Sequence, residues 1–254
     1  MSNYNAVLNN LETLKLDKMR SFLPGYLDAI SGKDVSVADA LLELTSKELE
    51  FQHERASKIQ IHVAGFPFEK TLKDFDFDFQ PSINKAQIHD LATLRFMENK
   101  ENILLYGSPG VGKSHLSVAL GMEAASRRHI TYFISCHDLI TQLHNASAEN
   151  RLEAKLKHYA KYKLLIIDEI GFLPIDKQGA NLFFQLIAKR YEKFSTIITT
   201  NQPFSKWAEV FSDSTLANAI LDRLLHHSHI IKITGPSYRL RDKMDAVEAK
   251  SKSA

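Results

Sequence analysis

Cys136 is the only thiol in this chain of 254 residues, which excludes an intrachain disulfide and any zinc site built from cysteines. A reducing cytoplasm is the expected setting. No apolar run approaches the roughly 20 residues that span a bilayer, and Met1 to Asn10 has no basic flank leading into an apolar stretch. A soluble protein with no membrane partner is therefore expected. Charge is nearly balanced, 32 Lys and Arg against 30 Asp and Glu, so any nucleic-acid contact has to come from local patches. Also missing are H-E-x-x-H, G-x-S-x-G and a G-x-G-x-x-G after a strand, which removes zinc peptidase, serine hydrolase and hydride-transfer chemistry.

What is present suits one full-sized domain and a smaller one: 44% of residues are hydrophobic and 24% charged. From Val7 to His62 the pattern is helical. Leu8, Leu11 and Leu14 recur every third residue, Leu23-Pro24-Gly25 predicts a break between two helices, and Val37 to Gln60 reads as a long amphipathic helix. Gly65 and Pro67 end the pattern, which puts the domain boundary near residue 68. Residues 1–68 are expected to form a helical N-terminal domain, 69–246 the main domain and 247–254 a frayed tail. Phe75, Phe77 and Phe79 alternate with acids as in a strand packed on a core, with an adenine contact as the other use of those rings.

Beyond the boundary, short apolar runs alternate with helical patterns. Ile103–Tyr106, Ile130–Ile134, Leu164–Ile167, Thr196–Thr200 and Ile230–Ile233 are continuous enough to be strands buried on both faces of a parallel sheet. Ser114–Arg127 and Ala180–Phe194 read as helices between them. The fold class is α/β.

Gly107-Ser108-Pro109-Gly110-Val111-Gly112-Lys113-Ser114 satisfies G-x-x-x-x-G-K-[ST], with a strand before it and a helix after. By chance such a pattern arises in about one per cent of chains this long. The glycines let backbone N–H groups turn in around a phosphate, and the helix that follows adds its positive end. Lys113 can reach β and γ oxygens, and the Ser114 hydroxyl suits Mg²⁺. The run Leu164-Leu165-Ile166-Ile167 ends in Asp168 and Glu169, placing both carboxylates at the carboxyl end of a buried strand. Asp168 is expected to hold Mg²⁺ and Glu169 to act as general base toward water. ATP and Mg²⁺ are the implied ligands, and ATP hydrolysis the implied reaction.

Tyr106 to Leu116, including His115, together with Leu164 to Glu169, resembles the IstB family of insertion-sequence transposition helper ATPases, whose core is shared by the DnaC and DnaI helicase loaders. The likeness extends to Thr71–Phe77 and Ser237–Arg241. It implies an AAA+ domain with sheet order 5-1-4-3-2, ATP-driven homo-oligomers in a ring or spiral, duplex DNA binding and delivery of target DNA to an IstA-like transposase. Helicase loading is the alternative it leaves open. By the same resemblance Asn201 falls where a polar sensor meets the γ-phosphate, and Arg223 looks like an arginine finger presented by a neighbouring subunit. Arg239 and Arg241 match a basic pair whose contact, with nucleotide, DNA or solvent, stays open.

Other charged residues carry weaker expectations. Arg55, Lys58, Lys70, Lys73 and the Arg127-Arg128-His129 cluster either meet DNA phosphates or simply solvate their elements. His226, His227 and His229 have no acidic or thiol ligand beside them in sequence, so a polar turn is expected there.

Overall fold

The computed structural model describes residues 3–241; the expected tail and the end of the main domain at 246 lie outside them. The chain divides into two compact units, Met1–Ile59 and Gln60–Ala254.

In the first unit α1 (Asn3–Thr13), α2 (Asp17–Ile30) and α3 (Val37–Val63) gather Leu11, Leu23, Tyr26 and Leu44 into a small core. The break between α1 and α2 falls at Lys15, not at Pro24. Lys15 is left-handed at φ 57°, with Leu16 N–H on the Leu11 carbonyl and Lys15 N–H on that of Glu12, the pairing that closes a helix end. Pro24 sits inside α2, where burial of Leu23 and Tyr26 on either side outweighs the missing N–H. The buried Glu48 of α3 accepts from the Met19 N–H, placing a carboxylate at the positive end of α2. The expected apolar face of α3 is only partly used: Leu44 is buried, whereas Leu41, Leu49 and Ile59 are exposed.

The second unit is a five-stranded parallel sheet: β1 (Asn102–Gly107), β2 (Thr131–Ser135), β3 (Leu164–Ile170), β4 (Ser195–Thr200) and β5 (Ser228–Ile233), in the spatial order β2-β3-β4-β1-β5. This is the expected 5-1-4-3-2. Because strand side chains alternate, one residue set feeds each face. Ile103, Leu105, Leu164, Ile166 and Ile197 pack with Leu116, Leu120 and Ala124 of α6 (Lys113–Ser126) and with α4 (Lys85–Leu91) and α5 (Arg95–Glu98). Leu104, Leu165, Ile167 and Ile198 pack on the other face with α7 (Cys136–Ala148), α8 (Leu152–Ala160), α9 (Lys177–Arg190), α10 (Trp207–Val210) and α11 (Ser214–Leu225). Burial on both faces accounts for the apolar runs of β1 and β3, whereas the edge strands β2 and β5 are only partly buried.

The segment Phe75–Phe79 is not a strand. A 3-10 turn, Leu72–Asp74, carries a Thr71/Asp74 capping box and delivers Phe75 into the core, and a turn follows through Phe79. The sequence alternation has another cause: Phe75 is buried, Asp76 pairs with Arg241, and Phe79 meets Tyr238 edge-on.

Candidate nucleotide site

Three parallel strands end at one place. β1 delivers the loop Gly107–Gly112, β3 delivers Asp168 and Glu169, and β4, lying between them, delivers Thr199 and then Asn201. Side chains distant in sequence are thereby brought to one cavity of about 320 Å³, lined by Pro109 to His115, Glu169, Thr199, Asn201, Phe75 and Arg239 among others.

The loop can follow this path only because its glycines are glycines. A Cβ on Gly107 would run into the Ile233 carbonyl of β5, and one on Gly112, at φ 101°, would come within 2.7 Å of the Phe75 ring. Lys113 lays its ammonium across the loop, donating to the Gly107 and Ser108 carbonyls at 2.7 Å each. Burial holds the Lys113 pKa below its ordinary value; the charges of Asp168 and Glu169 oppose that, and Arg239 adds to it. His115 is likewise held below the usual histidine value, chiefly by burial, with Nε2 2.9 Å from the Thr71 carbonyl and its ring edge-on to Phe75 at 5.1 Å.

Ser114 and Asp168, the two residues expected to serve a cation, meet directly. The Ser114 hydroxyl lies 3.0 and 2.9 Å from the two carboxylate oxygens of the buried Asp168. Thr199 completes this cluster: its hydroxyl donates to Asp168 Oδ1 and accepts the Glu169 N–H at 2.9 Å. Sequence reasoning missed Thr199: the implied order already set β4 beside β3, but the register, shifted by a bulge, decides which threonine of Thr199-Thr200 meets Asp168. Glu169 occupies a β-bulge at φ 63°, with its side chain exposed toward the cavity. Asn201 Oδ1 is buried and unpartnered among the described residues, an acceptor beside the cavity still wanting a donor.

These residues fit a nucleoside triphosphate with a divalent ion: a glycine loop packed too closely on its neighbours to admit a side chain, an ammonium over it, a hydroxyl–carboxylate pair, and an orphaned amide oxygen. Residues 9–246 match the family described as IstB-like ATP binding protein. The chain belongs to the IstB-like family. It is 51% identical over 241 residues to the ATP-binding protein of insertion sequence IS232 from Bacillus thuringiensis, covering 95% of this chain and 96% of that one. It is 46% identical over 213 residues to the ATP-binding protein of insertion sequence IS5376 from Geobacillus stearothermophilus, covering 84% and 85%. Among solved structures it is similar to the DnaC helicase loader, at 27% identity and a TM-score of 0.50 over 60% of this chain and 92% of that one. The protein is thus an ATP-binding, insertion-sequence-associated member of the IstB-like family with an AAA+ P-loop fold.

In this IstB-like chain the C-terminal segment also closes on the loop. The Tyr238 N–H donates to the Gly110 carbonyl at 2.9 Å, and Arg239 faces the cavity. Arg241 instead donates to Asp76 at 2.9 Å and lies over the Phe79 and Tyr238 rings. Of the alternating phenylalanines, Phe75 lines the cavity, whereas Phe77 packs beside His89 and Lys85. Arg223 is not part of the cavity. It sits in the last turn of α11, at the amino end of the sheet, donating to the Ala219 carbonyl at 2.9 Å and lying 4.7 Å over the Phe184 ring. Arg127 is tied to Glu123 and to the Ala92 and Thr93 carbonyls, while Arg55, Lys58 and Arg128 are exposed. Among the described residues no helix is long and apolar enough to cross a membrane.

Proposed function

We propose that this protein hydrolyses ATP, assembles through its ATP state into a homo-oligomer on duplex target DNA, and assists a partner transposase in the bacterial cytoplasm. One observation carries the hydrolytic part: Glu169 reaches the cavity from a strained bulge beside Lys113 and Asn201, an arrangement suited to chemistry as well as to binding. The Glu169 carboxylate accepts a proton from water as its oxygen attacks the γ-phosphorus, and ADP leaves. Asn201 orients that water, and Lys113 holds the phosphate oxygens. Ser114 and Asp168 hold Mg²⁺, which when bound neutralises charge on the phosphates.

Insertion-sequence membership supports the transposition role, and the placement of Arg223 away from its own cavity supports assembly. The helical segment 1–68 is assigned the DNA, partner or oligomer contacts, with Arg55 and Lys58 exposed on α3. A helicase-loading role is the second reading, favoured by the likeness to the DnaC loader.

The test is binding to long duplex and to single-stranded DNA, at fixed salt, with no nucleotide, ADP, ATP and a slowly hydrolysed analogue, particle size being followed in parallel. Duplex binding in large particles that requires ATP or the analogue is expected. Preference for single strands, or absence of DNA binding in every nucleotide state, would overturn the transposition role and favour the loader.

A further inference from the structure

Away from the nucleotide cavity, Glu192, His226 and His227 place one ligand atom each within 4.8 Å of one another. Among the described residues this is the one such group of three or more histidine, cysteine or acidic side chains. Parallel topology brings them together. β4 and β5 flank β1, so the turns that enter them lie at the same, amino end of the sheet. Glu192, at φ 57°, is in the turn from α9 to β4; His226 caps the end of α11, and His227 follows it into β5.

We propose that Glu192, His226 and His227 form a site for a divalent transition-metal ion of the zinc type. Two imidazoles and one carboxylate are a zinc donor set that leaves a fourth position open. A tetrahedral ion with bonds of about 2.1 Å needs ligand atoms roughly 3.4 Å apart. Closing from the present spacing requires only side-chain rotation, because all three residues are exposed. The supporting contacts are already made. The Tyr191 hydroxyl lies 2.8 Å from His226 Nδ1, which leaves Nε2 of that ring as the ligand atom and gives the ring the outer partner that ligating histidines generally have. The His227 carbonyl accepts the Asn102 N–H at 2.8 Å, which anchors the turn on β1. The centroids of the two imidazole rings are 4.0 Å apart. His229 is not in the group, and its Nε2 is engaged by Glu101 at 2.8 Å. The missing acidic ligand is supplied by Glu192, distant in sequence and adjacent in space. A bound ion would strap the α9–β4 turn to the end of α11 that carries Arg223. The site depends on nothing in the nucleotide cavity.

The untagged full-length chain, free of nucleotide, is titrated with zinc by calorimetry and with cobalt(II) while its visible absorption is followed. Saturation at one ion per chain is expected, with the intense absorption of tetrahedral cobalt. Affinity should fall about tenfold or more in His227→Ala and in Glu192→Gln, and stay unchanged in His137→Ala. Circular dichroism checks that the variants fold. The proposal is overturned if zinc does not saturate, or if it binds His227→Ala and Glu192→Gln as tightly as the parent chain, which would mark an adventitious ion only.

Discussion

Asp168 and Glu169 are neighbours in sequence with opposite surroundings. Asp168 is buried and held by two hydroxyls, from Ser114 and Thr199, so its carboxylate is fixed in place. Glu169 is thrown outward by a bulge whose left-handed backbone costs a non-glycine residue about 1–3 kcal/mol. That cost is offset by the sheet around it and by the Glu169 N–H bonding to Thr199. A residue whose role ended at strand pairing would have no need of the bulge. Glu169→Gln keeps the shape and the backbone and removes the proton acceptor. It should retain ATP affinity and lose hydrolysis by about 10²- to 10⁴-fold. Nucleotide binding by fluorescence titration and single-turnover hydrolysis measure the two separately, and hydrolysis at the parental rate would remove Glu169 from the reaction.

At the scale of elements, Pro24 shows how a local rule yields to packing. Inside a helix, proline removes one hydrogen bond and crowds the preceding turn, at a cost of about 3 kcal/mol. α2 absorbs that cost because Leu23 and Tyr26 both reach the small core. Pro24→Ala should therefore slow hydrogen exchange across Asp17–Ile30 and stabilise the N-terminal unit by about 1–3 kcal/mol. Faster exchange there would mean that the proline fits the helix better than alanine does. The same contrast explains what the sequence discloses. All five strands are legible as short apolar runs, most plainly the central β1 and β3, where burial on both faces leaves a continuous run that no helix face imitates. The phosphate loop is legible because its chemistry is local and contiguous. Phe75–Phe79 misleads, because one buried ring, one ion pair and one edge contact mimic the alternation of a strand. Thr199 beside Asp168, and Glu192 beside His226, are invisible in sequence because strand register and turn geometry, not strand order, decide which side chains meet.

For the molecule as a whole, the decisive feature is what one copy does not bring to its own cavity. Arg239 faces the cavity from the C-terminal segment, but Arg223 lies at the opposite end of the sheet, on α11. If Arg223 serves a triphosphate, as proposed, it therefore does so in a second copy. Such contact is head-to-tail: one surface carries the cavity, another the arginine, and repetition generates a ring or spiral. Arg223→Ala should then bind ATP normally and hydrolyse it about 10³-fold more slowly. A structural role alone could also lower activity, so the informative experiment mixes two inactive chains. Arg223→Ala copies keep Glu169, and Glu169→Gln copies keep Arg223. In an equimolar mixture that assembles at random, about a quarter of the sites combine an intact Glu169 with an intact neighbouring Arg223. Hydrolysis should recover toward that fraction of the parental rate. A mixture no more active than its components would show that Arg223 does not act across the interface.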